Sequence, residues 1–208
     1  MRTASAAALA LALAVIPSAM LAQDNTRTFA GTKWGGGEDD TKEKISAAGF
    51  EFTQKDEDGD LNFDGEVMGY GSRVYAMLTP DGKLMKVTVL IATPDEEAIS
   101  TWRTMMANMT KKYGEPAHLF ETFKSPYKKG DGKTEQAIQE GKGTLAAFWG
   151  DEDEGFMMVE VTDKLAVRVA YESKYWPLES DRRTGKTPSS SNSGGKAKRD
   201  PAPASSPF

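Results

Sequence analysis

The chain reads twice as a helix, a glycine stop and four runs of strand-forming residues, and that order confines it to the α+β class. The clearest helix runs from Pro94 to Tyr113. Thr93 stands where an N-cap is needed, Pro94 suits the first helical position, and Glu96 completes a capping box with Thr93. Asp95, Glu96 and Glu97 lie at the positive end of the helix dipole and Lys111 and Lys112 at the negative end. Gly114 stops the helix and Pro116 prevents its resumption. Ile99, Trp102, Met106, Met109 and Tyr113 recur every three or four residues, an apolar stripe that predicts burial against a sheet.

Ahead of that helix, Gly71 to Thr79 and Lys83 to Ala92 are β-rich runs joined by Pro80-Asp81-Gly82, a hairpin turn. Phe50 to Gln54 and Leu61 to Gly69 supply two further strands, preceded by a short helix from Glu38 to Ala48 that ends at Gly49. Behind the helix come His118 to Phe123, Thr144 to Trp149, Phe156 to Val161 and Leu165 to Tyr171. We expect a mostly antiparallel sheet with two helices on one face, built by duplication of a helix-plus-four-strands unit. No residue-level repeat accompanies the repeated order.

Three segments follow from composition. Met1-Arg2-Thr3, the Ala/Leu/Val run to Ile16 and the small residues Ala19 and Ala22 describe a signal peptide over residues 1–22, cleaved after Ala22 or after Ala19. That apolar run is too short to span a bilayer, and no transmembrane segment is expected in the mature chain. Residues 23–180 have the length of one α+β domain. Residues 181–208 carry six Lys or Arg against two Asp, and from Thr184 onward they read as a disordered basic Ser/Pro/Gly-rich tail. The expected address is the periplasm or the extracellular space.

There is no cysteine, so disulfides, lipidated cysteine, thiol nucleophiles and thiolate metal sites are all closed. The body between the signal and the tail has a net charge of about −10, which argues against nucleic acid as a partner. Gly-Lys-Thr occurs at Gly132 and at Gly185, but a phosphate loop needs glycine where Tyr127 and Ser180 stand. No cofactor is implied.

Phe29-Ala30-Gly31-Thr32-Lys33-Trp34-Gly35, Tyr113-Gly114-Glu115-Pro116 at a helix end and Tyr171-Glu172-Ser173 near the last strand together resemble a family of uncharacterised exported bacterial α+β domains that open Phe-x-Gly-x-x-apolar-Gly. The resemblance spans roughly Phe29 to Tyr175 and departs from the pattern at Gly36-Gly37. It implies a fold and an envelope address and carries no active site.

Two stretches carry candidate chemistry. Asp60, Asn62, Asp64, Gly65 and Val67 occupy positions 1, 3, 5, 6 and 8 of a calcium loop, with Glu66 beside them, so Asp60, Asn62, Asp64 and Glu66 are candidate metal ligands. Against this, Gly71 stands where the bidentate carboxylate belongs and Phe63 suits a strand. The second stretch is the long connection from Lys124 to Lys142. Its Tyr127, Lys128, Lys129 and Lys133 are candidate partner-binding residues, with an exposed tyrosine among lysines suited to an acidic partner. His118 is the only histidine, and no Gly-x-Ser-x-Gly elbow is present. The function expected is an exported cell-envelope binding or structural module for an envelope protein or small ligand. The alternatives are a hydrolase whose site assembles only in three dimensions and a weak calcium binder.

Overall fold

The computed structural model describes residues 27–151, 153 and 155–185. The expected signal peptide and residues 186–208 of the basic tail lie outside the described residues. Helix α1 (Glu38–Ala47) precedes strands β1 (Glu51–Lys55), β2 (Leu61–Val67), β3 (Tyr70–Leu78) and β4 (Leu84–Ile91). Helix α2 (Ala98–Tyr113) precedes β5 (His118–Phe123), a short α3 (Thr134–Gln139), β6 (Gly143–Asp151), β7 (Gly155–Val161) and β8 (Val167–Glu172), and α4 (Trp176–Arg183) closes the described chain. All eight expected strands are present. They form one antiparallel sheet in the order β1-β2-β3-β4-β8-β7-β6-β5. The last strands of the two runs meet at the centre, and β1 and β5 lie at the edges.

The register explains how alternation becomes a core. Phe52, Phe63, Val74, Val89, Val169, Val159, Ala147 and Leu119 face one another in a single row across all eight strands. The six central members are buried, whereas Phe52 and Leu119, on the edge strands, are 37% and 51% exposed. This inner face packs with Ile45 of α1, Ile99, Trp102 and Met109 of α2 and Ile138 of α3 in one hydrophobic cluster. Trp102 is fully buried, and its indole Nε1 donates to the Val159 carbonyl at 3.1 Å. Such a side chain removes on the order of 200 Å² from water, about 5 kcal/mol before ordering entropy is subtracted.

The Phe29 to Gly36 stretch docks on this scaffold by its own backbone. Gly35 N–H donates to the Leu84 carbonyl at 2.8 Å and Leu84 N–H to the Gly36 carbonyl at 3.0 Å. The Phe29 ring then rests against Phe50 and Tyr171, with centroids 5.5 and 5.8 Å away.

Three local expectations are corrected. Thr93 does not cap α2, because its hydroxyl donates to the Leu165 carbonyl at 3.0 Å, a tertiary bond that displaces the local one. Asp95–Glu97 consequently form a 3-10 turn, and the α-helix begins at Ala98. The 124–142 connection is not all loop, since it folds into α3, with Ala137 and Ile138 buried. The chain also continues in helical form past residue 180, through Arg183.

Candidate functional site

The four candidate metal ligands are held apart by strand geometry. Asn62, Asp64 and Glu66 alternate along β2 on the outer face while Phe63 is buried on the inner one. Alternate residues of a strand stand about 7 Å apart, whereas calcium draws its oxygens to within about 2.5 Å of one centre. Asp64 accepts a hydrogen bond from Arg73 Nε at 3.0 Å, across the β2–β3 pair. Asp60, just ahead of β2, is buried and already saturated. Its Oδ1 accepts from Leu78 N–H at 2.9 Å, and its two oxygens take a bidentate pair from the Arg183 guanidinium at 2.7 Å each. Among the described residues no three His, Asp or Glu side chains gather as a metal site needs. Gly65, the glycine of the calcium-loop pattern, has a packing role instead: a Cβ there would sit 2.5 Å from Phe50 Cδ1.

The outer face of the second half is partly apolar. Phe148, Phe156, Met158 and Ala170 line a shallow depression of about 220 Å³ beside Glu172. Phe120 packs edge-on against Phe148, with centroids 5.7 Å apart. The carboxylates here are matched to cations, Glu160 to Arg168 and Glu172 to Lys86, the latter at 2.7 Å. Burial pushes the Glu160 carboxyl above its ordinary range despite Arg168 beside it. His118 is exposed at the start of edge strand β5, opposite Phe148.

The 124–142 connection is a built platform, and Tyr127 anchors it. The expectation of an exposed Tyr127 is corrected: the residue is only 7% exposed. Its phenol donates to Glu140 Oε1 at 2.7 Å, and the Lys142 ammonium lies 5.7 Å from its ring centroid. A tyrosine of this kind buries an apolar ring and satisfies its polar tip, so it serves the fold of the loop. The Tyr127 hydroxyl is pushed up to about 12, chiefly by its bond to Glu140, and the Glu140 carboxyl is drawn down to about 2 by Tyr127 and then Lys142. Asp131 fixes the turn by accepting the N–H groups of Lys128 and Lys133, each at 2.9 Å. Lys124 N–H donates to the Lys142 carbonyl at 2.7 Å and closes the base.

On this frame Lys124, Lys128, Lys129 and Lys133 are exposed. Lys129 pairs with Glu121 of β5, while among the described residues Lys124, Lys128 and Lys133 form no ion pair within 4 Å. The charge of Lys133 nonetheless helps hold the Asp131 carboxyl below its usual range, after the Lys128 and Lys133 N–H groups.

Helix α4 was not legible in the sequence because it is held by charge. Its one buried residue is Glu179, whose carboxylate accepts from Arg182 at 2.8 and 2.6 Å and from Arg183 at 3.0 Å. Arg182 and then Arg183 hold that carboxyl below its usual range. Trp176 lies beneath Lys86 and Arg183, at 4.8 and 5.6 Å from its ring centroid. The available signal was the i, i+3 and i, i+4 spacing of Glu179 with Arg182 and Arg183.

No described helix is long and apolar enough to cross a membrane. No family model, no curated protein and no solved structure matches this chain.

Proposed function

We propose that this protein is an exported binding module of the cell envelope, of the kind its Phe-x-Gly-x-x-apolar-Gly opening resembles, and that it holds an acidic protein partner on the lysine platform of residues 124–142. The observation that carries this reading is the preorganisation of the platform. Asp131, the Tyr127–Glu140 bond and the Lys124–Lys142 closure hold the backbone. The ammonium groups are therefore presented without much further loss of backbone freedom on binding. They rise from a body of strong negative charge, an arrangement that steers an acidic surface to one place.

The internal symmetry of the sheet supports the same location. We read α1 with β1–β4 and α2 with β5–β8 as two copies of one unit, with both helices on the inner face. In the first copy residues 56–60 join the two outermost strands, and in the second residues 124–142 do so. Added length at one of two equivalent connections marks an acquired feature, and long ordered connections in compact domains commonly carry function.

The test is charge reversal, because deleting the segment would also remove Ala137 and Ile138 from the core. Lys124→Glu, Lys128→Glu and Lys133→Glu combined leave the circular dichroism unchanged and abolish capture of partner protein from an envelope fraction at low salt. Unchanged capture by the folded triple variant overturns the reading.

A further inference from the structure

The two edges of the sheet are treated differently by the sequence. Strand β1 is short, carries Glu51 and Lys55 at its ends, and breaks register between Phe52 and Gln54. Helix α1 guards it further: Glu38 accepts from Lys55 at 2.7 Å and from Lys42 at 2.8 Å, and the Lys42 ammonium lies 4.5 Å from the Phe52 ring centroid. Charge, shortness and a bulge are the devices by which proteins close a sheet edge to further strands.

Strand β5 is only one residue longer, but it is less guarded: it has no bulge, and its single charge is already paired. It pairs with β6 in unbroken register from His118↔Phe148 to Phe123↔Gly143 and has no described neighbour on its other side. It contains no Lys, Arg or Pro, and its one acid, Glu121, is already paired with Lys129. Leu119 ends the inner-face row 51% exposed, and Phe120 carries the outer-face aromatic patch to the same edge. An open edge of this kind offers a line of main-chain N–H and C=O groups to another strand.

The lysine platform begins where β5 ends, so charge specifies the occupant. We propose that β5 receives an extended, acid-rich segment of the partner protein, which adds a strand to the sheet with its acidic end beside Lys124 and Lys128. This rests on the platform reading above and names the chemistry of the partner. Antiparallel addition, the pairing used throughout the sheet, sets the N-terminal end of the incoming strand next to the platform. Its alternate side chains then lie beside Leu119 on one face and His118 and Phe120 on the other, where apolar residues complete both patches. The backbone supplies affinity, and the lysines select for acid.

The experiment uses the chain from Gln23 onward and a synthetic ten-residue peptide with three N-terminal Glu followed by alternating Val and Thr. A second peptide of the same sequence has alternate backbone nitrogens methylated, which removes strand-forming donors and leaves charge intact. The acidic peptide slows amide exchange in residues 118–123, and methylation weakens its binding at least tenfold. Lys124→Glu with Lys128→Glu also weakens it at least tenfold. Equal binding of the methylated peptide, or protection elsewhere than β5, overturns edge addition. Loss of binding on lysine reversal alone would then leave the platform reading intact. Loss on methylation alone, with no effect of lysine reversal, leaves the edge standing, overturns the acid-rich occupant and sinks the platform. A dimeric mass by light scattering with β5 already protected assigns the edge to a second copy and also overturns the proposal.

Discussion

Arg183 grips Asp60 through two hydrogen bonds of 2.7 Å and in doing so fastens the end of the described chain to the start of β2. The same guanidinium donates to the Leu78 carbonyl and to Glu179, so it joins β2, β3 and α4 at one point. Asp60 is more than nine-tenths buried as a side chain and Arg183 about four-fifths, so each charge depends on the other.

That pair gives two truncations opposite outcomes. Ending the chain after Gly185 keeps every described contact and leaves the melting temperature within about a degree. Ending it after Ser180 removes Arg182 and Arg183 and strands the Asp60 carboxylate. Breaking a well-buried pair costs about 3–5 kcal/mol, and partial exposure of Arg183 reduces this to about 2 kcal/mol. For a domain of this size the expected fall is about 4–8 °C. Arg183→Ala gives a similar loss. Equal melting of the two truncated chains would show that α4 contributes nothing to the fold.

Phe50 and Gly65 form a second dependent pair, since the Phe50 ring occupies the space a Cβ at Gly65 would need. Gly65→Ala is expected to destabilise by about 1–3 kcal/mol through overpacking, and Phe50→Ala by about 3–4 kcal/mol through cavity formation. In the Phe50→Ala background the glycine substitution becomes nearly neutral, a coupling of about 1–3 kcal/mol measured by urea unfolding. Strict additivity of the two changes would disprove the contact.

The contrast between these pairs shows what was legible. Period-two alternation in β2 exposed the strand, because Phe63 explains itself only as an inward-facing residue. The role of Gly65 was hidden, since a glycine that admits a ring from another segment looks the same as a turn glycine. Asp60 resembled a metal ligand because its partner, Arg183, lies 123 positions away. The 124–142 segment was visible as long and lysine-rich, but its α3 carries only a short buried pair, Ala137 and Ile138, too little for a helical period to register. Tyr127 reads as exposed among polar neighbours until Glu140 and Lys142 fold onto it. Local pattern thus located the elements, and contacts distant in sequence decided the site.

The β2–β3 turn offers a gain in stability. Met68 and Gly69 both have positive φ, at 57° and 83°, the pair of left-handed residues that a two-residue hairpin of this hand requires. Gly69 adopts it freely, whereas Met68 bears a Cβ against the following carbonyl and is 43% exposed, so little packing compensates. Met68→Asn is expected to raise stability by about 0.5–1 kcal/mol, read as a higher urea midpoint at unchanged slope. A lower midpoint would mean that the methionine side chain packs more than its exposure indicates.

The Tyr127–Glu140 bond predicts how the platform responds to pH. Folding raises the Tyr127 hydroxyl to about 12 because the neutral phenol donates to Glu140. This contribution is complete below about pH 10, the ordinary tyrosine value, and is lost as pH rises through about 12. The Glu140 carboxyl is lowered to about 2 by Tyr127 first and Lys142 second. Its contribution is complete above about pH 4.5 and fades as pH falls toward 2. Between those limits the platform holds its shape, so capture of an acidic partner should not change between pH 5 and 9 through this pair. Tyr70 and Tyr171 are also raised, the first by its bond to Glu97 and the second by burial. Tyr127 is therefore isolated by subtracting the absorbance titration of Tyr127→Phe from that of the wild-type chain, and the difference is expected to show one phenol near 12. Glu140→Gln returns that phenol toward about 10, because an amide accepts the bond without the carboxylate charge. Tyr127→Phe moves Glu140 upward, with Lys142 still holding it below the free value, as followed by carboxyl carbon shifts in NMR. A wild-type Tyr127 that titrates near 10, unmoved by Glu140→Gln, would mean that the platform is not closed by this bond in solution.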